Sequence, residues 1–348
     1  MALYIRLRIK MDCVLDLENI KFESRDKQVF FATHDFIIYK DMLSIVMADC
    51  QGDVVSSVPC PKDHRHFECV DLEDAVLLIL AGKFIVVFDK MGSAPISHRI
   101  DTAKMGRVVG QPYTTNDENC LIFGTMRGEN IQLVNYDFLS QKRVSQSSSW
   151  KVKQLSDIVV KDETVYLLLD SSFLVACNAN TCETKWSRFE SGFINPRLIP
   201  YQDSVLYSCQ GLIRKIEAQT QNINIPLSRI SSVLACINDN VIFTSEDFTN
   251  VGSYSLTENQ LLWEIVGSNK ILEGIVVKGV SGDETFNVLA MQVGDHFALV
   301  NLDLGKSAHY SKTTGVYKIR RTGDHLLLNK KEYKTDMIAG KVDDGKSD

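Results

Sequence analysis

The stretch Phe173-Leu174-Val175-Ala176-Cys177-Asn178-Ala179-Asn180-Thr181-Cys182-Glu183-Thr184-Lys185-Trp186 decides how the chain is read. An apolar run, a polar turn and a second run that reaches a Trp predict a β-hairpin. A further apolar run, Val165 to Leu169, precedes it behind the acidic turn Asp162-Glu163. One unit is therefore strand, turn, strand, polar turn, strand, with an outer connection.

Working outward, segments of the same build recur at Ser44 to Gly52, Phe84 to Gly92, Ile131 to Asp137, Leu212 to Glu217, Val251 to Leu256 and Phe297 to Lys306. A polar residue follows each apolar run: Asp49, Asp89, Asp137, Asn178, Glu217, Ser255 and Asp303. Their spacing is about 40 residues, the length of one four-stranded propeller blade. Each copy has its own preceding strand, from Phe36 to Tyr39 at the start to Phe286 to Ala290 near the end. Runs with helical periodicity are nearly absent. The sequence thus predicts an all-β β-propeller of about eight four-stranded blades, with seven as the alternative.

The eighth copy is incomplete. Asp324 to Leu328 repeats the acidic turn and strand, and Met337 to Ser347 repeats the next element with Asp343 in register with Asp303. Two spare strands, Tyr4 to Ile9 and Cys13 to Leu17, precede the first full unit. The expectation is circular closure, which removes an exposed sheet edge. One domain, 1–348, then comprises a closing strand region at 1–25, seven blades at 26–312 and a last blade at 313–348. Such a propeller would also suit the N-terminal part of a longer scaffold.

Bulk composition bounds the function. The 45% hydrophobic content can fill a core across 348 residues. Apolar runs such as Leu77 to Leu80 and Phe84 to Phe88 are far shorter than the roughly 18 residues of a membrane span. In the first ten residues, Arg6 and Arg8 interrupt the apolar pattern, which reads as a strand rather than a secretory leader. The nine cysteines are an odd number, scattered through apolar strands. That pattern favours a reducing compartment, cytoplasm or nucleus. A net charge of −6 argues against a dedicated nucleic-acid binder.

Two copies carry a resemblance. Cys177-Asn178-Ala179-Asn180-Thr181-Cys182-Glu183-Thr184-Lys185-Trp186 and Tyr254-Ser255-Leu256-Thr257-Glu258-Asn259-Gln260-Leu261-Leu262-Trp263 resemble the blade signature of the quinoprotein-like propellers. There a strand ends in a small-Asp-x-x-Thr-Gly turn and the next strand carries a Trp. The Gly is present in Asp303-Leu304-Gly305-Lys306 and absent from both Trp copies. The Gly-His and Trp-Asp dipeptides of WD40 blades are missing, as they are in divergent WD40-type propellers. The resemblance implies the propeller fold. Quinoprotein dehydrogenases hold their cofactor with calcium, Arg and carboxylates, and no such set can be placed on this chain.

Local chemistry offers four candidates. Cys60-Pro61-Lys62-Asp63-His64-Arg65-His66-Phe67-Glu68-Cys69 holds zinc-type ligands, but its C-x3-H-x-H-x2-C spacing fits a blade link better than a metal site. Cys177 and Cys182 flank a turn that could place them opposite each other, though two buried thiols explain them more simply. Arg6, Arg8, Lys10, Lys318, Arg320, Arg321, Lys330, Lys331 and Lys334 would converge if the termini share a blade, forming a basic patch for phosphates or an acidic protein. Their bland reading is a solvated blade face. Ser145 to Ser149 reads as a linker or a modification site.

Catalytic motifs are missing: there is no nucleophile elbow, Walker A run or H-E-x-x-H. Gly124-Thr125-Met126-Arg127-Gly128 is a strand turn, with no helix after it to present an N-terminus to phosphate. No catalytic, cofactor-binding or metal residue is therefore assigned, and no cofactor is expected. The expected role is a non-enzymatic interaction scaffold, a subunit or domain of a multiprotein complex whose partners are other protein subunits. The alternatives are a non-catalytic subunit that presents nucleic acid to an enzyme, and a quinone- or metal-binding propeller enzyme. Neither a membrane span nor a small-molecule substrate is indicated.

Overall fold

The computed structural model describes residues 28–32, 36–49, 52–60, 67–71, 75–80, 84–89, 97–101, 105–115, 120–193, 196–216, 221–223, 230–266, 271–281, 284–293, 296–302, 306–312, 317–322, 325–330 and 335–338. Every regular element among them is a β-strand. The strands form eight antiparallel sheets in sequence order, spanning 28–59, 67–101, 107–151, 155–189, 198–223, 230–266, 271–312 and 317–338. In each sheet the first four strands, or three in the last, pair in sequence order. Among the described residues the last sheet has three strands, and the third has a fifth, Trp150–Lys151, beside Asn130–Asp137. The region expected to close the propeller, 1–25, lies outside the described residues.

Burial follows strand position. Second strands are buried on both faces: Ala75–Leu80, Ser204–Cys209 and nearly all of Cys120–Arg127. They read as continuous apolar runs because both of their faces are buried. Fourth strands are largely exposed, as in Lys142–Gln146 and Thr184–Phe189. Their alternation of polar and apolar residues is the mark of one wet face.

The chain divides into two compact units, 64–246 with 254–260, and 1–63 with 247–253 and 261–348. In the first, each apolar core lies between successive sheets. Leu77, Ile79 and Ile85 meet Leu121, Phe123 and Val134. Ile122, Ile131 and Leu133 meet Leu167, Leu169 and Val175. Leu168 and Leu174 meet Val205 and Tyr207. Each such side chain contributes about 1.5–3 kcal/mol when fully buried. The first strands of successive sheets neighbour one another: Arg107–Thr114 beside Leu155–Lys161, then Leu198–Tyr201, then Ile230–Ile237. Gly110 permits the first of these approaches. It has φ +73°, and a Cβ there would sit 2.6 Å from Ile158 Cγ2 and 2.7 Å from Leu155 Cδ2.

In the second unit, Ile37, Tyr39, Val46 and Ala48 form the core of the first sheet. The strand Tyr317–Thr322 runs beside both Ile271–Ser281 and Gln28–Ala32. The Nε1–H of Trp263 donates to the carbonyl of Leu302 at 3.2 Å, tying its fourth strand to the seventh sheet.

At Asp49, Asp137, Asn178 and Ser255 the recurring polar residue builds the turn. Asp137 Oδ1 accepts the N–H groups of Leu139 and Ser140. Asn178 Oδ1 does the same for Asn180 and Thr181. Ser255 Oγ accepts from Glu258, and Asp49 Oδ1 from Asp53. Short acceptors one turn from such N–H groups replace a backbone partner. The fifth residue of three of these turns is left-handed: Gln141 at φ 54°, Cys182 at 60° and Asn259 at 54°. These are the positions where the quinoprotein-like signature carries Gly.

Candidate interaction site

The hairpin of Phe173–Asn178 and Thr184–Phe189 is a packing device. Trp186 is half-buried and lies against the core shared by the fourth and fifth sheets, its ring 6.2 Å from that of Tyr166. Arg188 stacks over its other part, with Cζ 5.1 Å from the ring centroid.

Cys177 and Cys182 are both buried free thiols. They are not a cross-strand pair. Cys177 opposes Thr184, because a bulge between Ala176 and Cys177 shifts the register and leaves Cys182 inside the turn. Burial pushes the Cys177 thiol up to about 11 and raises that of Cys182.

The serine run is more than a linker. Ser147 is buried, and its Oγ accepts the N–H of Leu133 at 2.9 Å while donating to the Ser148 carbonyl. Ser145 Oγ donates to Asn180 O at 2.6 Å, and Asn135 Nδ2 donates to Ala179 O at 3.2 Å. These bonds clamp the third sheet onto the turn of the fourth. Gly124 to Arg127, expected as a turn, are instead paired strand residues, with Gly124 opposite Leu133. Only Gly128 stands in the tight turn to Asn130–Asp137, because the apolar run continues the ladder to its end.

Of the zinc-type candidates, His64 and His66 lie outside the described residues. Cys60 is buried, with its thiol raised by that burial. Of the basic patch, Arg6, Arg8, Lys10, Lys331 and Lys334 lie outside the described residues. Lys318, Arg320 and Arg321 are on the strand that pairs with the one carrying Lys330.

The most elaborate polar constellation was not singled out in the sequence. It lies between the fourth strand of the fourth sheet and the fifth sheet. Along Thr184–Phe189 and just beyond, Trp186, Arg188 and Glu190 are two residues apart, so they share one face of the chain's extended path. Glu190 receives the Tyr207 hydroxyl at 2.9 Å, Arg214 Nη1 at 2.6 Å and, as an ion pair, Arg188 Nε at 3.2 Å. Arg188 Nη2 also donates to the Tyr207 oxygen at 3.1 Å.

The connection that follows closes over this group. Phe193 stacks on Tyr207 at 5.5 Å, and Gln210 N–H donates to Gly192 O. Gly192 has φ +94°, and a Cβ there would lie 2.5 Å from Gln210 Cγ. Cys209 Sγ donates to Ser191 O at 3.0 Å, and its thiol is pushed up to about 11, chiefly by burial. Burial also raises the Tyr207 hydroxyl. The signal in the sequence was Arg214-Lys215 in the middle of a third strand, where no other copy carries an Arg or a Lys.

No family model and no curated protein sequence matches the chain. Solved structures do. BamB from Moraxella catarrhalis is similar at 12% identity over 87% of this chain and 93% of that one, with a TM-score of 0.57. Dihydro-heme d1 dehydrogenase NirN, in complex with DHE, is similar at 16% identity over 81% of this chain and 64% of that one, with a TM-score of 0.59. The WD40 β propeller domain of Doa1 is similar at 7% identity over 79% and 93%, with a TM-score of 0.52. The chain is therefore a divergent β-propeller, as the quinoprotein-like and WD40-like resemblance implied. The likeness is one of fold. Among the described residues no helix is long and apolar enough to cross a membrane.

Proposed function

We propose that the chain is a single closed propeller of eight blades that serves as a non-enzymatic scaffold for other protein subunits in the cytoplasm or nucleus. The observation that carries the reading is where the apolar side chains remain. The spaces between successive sheets of the first unit are packed, yet Phe189 is 71% exposed and Val266 76% on fourth strands, with Val54 and Val144 also exposed on theirs. Exposed apolar residues of this kind are the raw material of protein interfaces. Closure is supported by the neighbourhood of the Tyr317–Thr322 strand with Gln28–Ala32 in one unit, and by the three-stranded last sheet. The buried free thiols suit a reducing compartment.

The test is affinity capture of the tagged chain from its native cells under quantitative mass spectrometry. A defined set of proteins should co-purify at fixed stoichiometry and be lost, without loss of thermal stability, in a variant carrying Phe189→Ser, Val144→Ser and Val266→Ser. A chain that recovers no stoichiometric partner, or a variant that retains them all, counts against the reading.

A further inference from the structure

We propose that the outer edge of Gln260–Val266, the fourth strand of the sixth sheet, takes an added β-strand from a partner protein, an extended segment with a basic residue between two apolar ones; this rests on the scaffold reading. The strand stands last in its sheet, and among the described residues no strand pairs with its outer side. It therefore presents a row of outward backbone N–H and C=O groups over seven residues.

The other fourth strands carry defences against such pairing. Lys142–Gln146 opens on Lys142 and Arg143, and Thr184–Phe189 carries Lys185 and Arg188. Ser97–Asp101 carries Arg99, and Lys306–Lys312 has a Lys at each end. Val54–Pro59 ends on proline, and Gln221–Ile223 has only three residues. Basic side chains, proline and brevity all discourage edge pairing. Gln260–Val266 has none of them. Its one charge, Glu264, is tied back to its own sheet by Asn250 Nδ2, which donates to Glu264 Oε1 at 3.0 Å. Leu261, Leu262 and Val266 are exposed along the same strand.

The side chains define what the added strand carries. Residues two apart share a face, so Leu262, Glu264 and Val266 line one side and Leu261, Trp263 and Ile265 the other. The second side is held against the chain: Trp263 and Ile265 are half-buried, and Trp263 bonds to the Leu302 carbonyl. The first is exposed at all three positions. Directly opposed residues of paired strands favour apolar with apolar and opposite charges together. Asn250 is neutral, so its hydrogen bond leaves the charge of Glu264 to a basic neighbour. The matching segment therefore reads apolar, any, Lys or Arg, any, apolar. Main-chain bonds give such a strand its affinity, and the alternate side chains its specificity. The chain's net charge of −6 attracts a basic segment at long range as well.

The direct test is fluorescence anisotropy of the purified chain with a fluorescein-labelled peptide, Thr-Val-Thr-Lys-Thr-Val-Thr, at about 50 mM salt, where screening is modest. One comparison peptide has Glu in place of Lys, and another has every peptide nitrogen methylated, which removes the ladder donors. The parent should bind saturably, the Glu peptide about fivefold more weakly, and the methylated peptide not at all. Glu264→Lys should reverse the order of the parent and Glu peptides, and Leu262→Lys should weaken the parent. Circular dichroism melts confirm that each variant is folded, and if one is not, the three peptides on the wild-type chain decide. Absence of saturable binding overturns the proposal, as does equal binding of the methylated peptide or an order that Glu264→Lys leaves unchanged. Sedimentation equilibrium addresses a second copy as the occupant: a wild-type dimer that Leu262→Lys dissociates would overturn the proposal too. If the proposal fails while partners still co-purify with the wild-type chain, the scaffold reading stands without it.

Discussion

Asp157 Oδ2 accepts the backbone N–H of Leu198 at 2.6 Å, tying the first strand of the fourth sheet to the first strand of the fifth. Its other oxygen accepts the N–H of Ile158 at 2.9 Å, and Asp157 itself pairs with Leu168 just after the bulge at Ser156. The carboxyl is raised above its ordinary value, because burial outweighs the two N–H donors and Arg197.

The Asp157→Asn variant should lose about 1–3 kcal/mol. An amide offers one acceptor to two N–H groups and turns its own donor towards the other. The folded carboxyl has the higher pKa, so its protonation favours the fold. Its contribution is complete below the ordinary value of 3.8 and falls as pH rises through the higher folded value. Relative to the non-titrating variant, the wild type should therefore be most advantaged in acid, and the gap should narrow on the way to neutrality. Paired urea titrations across that range check both the sign and the size.

Gln141 and Cys182 hold the same left-handed position in two copies of the polar turn, but in different surroundings. Gln141 is exposed, whereas Cys182 is fully buried within the core of the third and fourth sheets. Gln141→Gly relieves a strained backbone and removes nothing that packs, so it should raise stability by up to about 1 kcal/mol. Cys182→Gly relieves the same strain but empties a packed site and discards the contact of its sulfur with Ser145 Oγ, so it should lower stability. Opposite signs in parallel thermal melts would show that the missing Gly has been replaced for packing in one copy and merely tolerated in the other.

What was legible in the sequence follows from this division. The period near 40 survives because each unit must place strands and turns at fixed intervals, and Asp137, Asn178 and Ser255 are held to short acceptors by the turn itself. The Phe173 to Trp186 hairpin was legible for the same reason, since its two strands and its turn are contiguous in sequence. The Glu190 group was not. Arg188, Glu190, Tyr207 and Arg214 come from three strands of two sheets, and their meeting depends on how those sheets face each other. Ser147 was misread for a related reason. Its neighbours look like a linker, and only the pairing with Leu133 reveals that its hydroxyl takes the place of a lost ladder bond.

Ser147→Ala tests that role. The hydroxyl both accepts from Leu133 N–H and donates to Ser148 O in a buried setting, while the residue's own N–H bonds to Leu133 O. Removal leaves the Leu133 donor without that acceptor, at about 1–2 kcal/mol. Hydrogen exchange followed by mass spectrometry should show faster exchange in the peptide containing Leu133 than in the first or fifth sheets. Uniform acceleration, or none, would assign the serine a passive role.

The thiols give a prediction that reports on the core directly. Burial pushes Cys177 and Cys209 up to about 11 and Cys236 up to about 12. The thiolate is the reactive form, and at pH 8 a thiol titrating near 11 is ionised to about one part in a thousand. Cys209 is further held by its bond to Ser191 O. Brief alkylation of the native chain with iodoacetamide at pH 8 should leave all three residues unmodified in peptide maps, and the same treatment in guanidinium should modify them fully. All three lie in the unit 64–246 with 254–260 and should become reactive together as it unfolds. Rapid native modification of Cys177 would mean that the core between the third and fourth sheets opens far more readily than its packing implies.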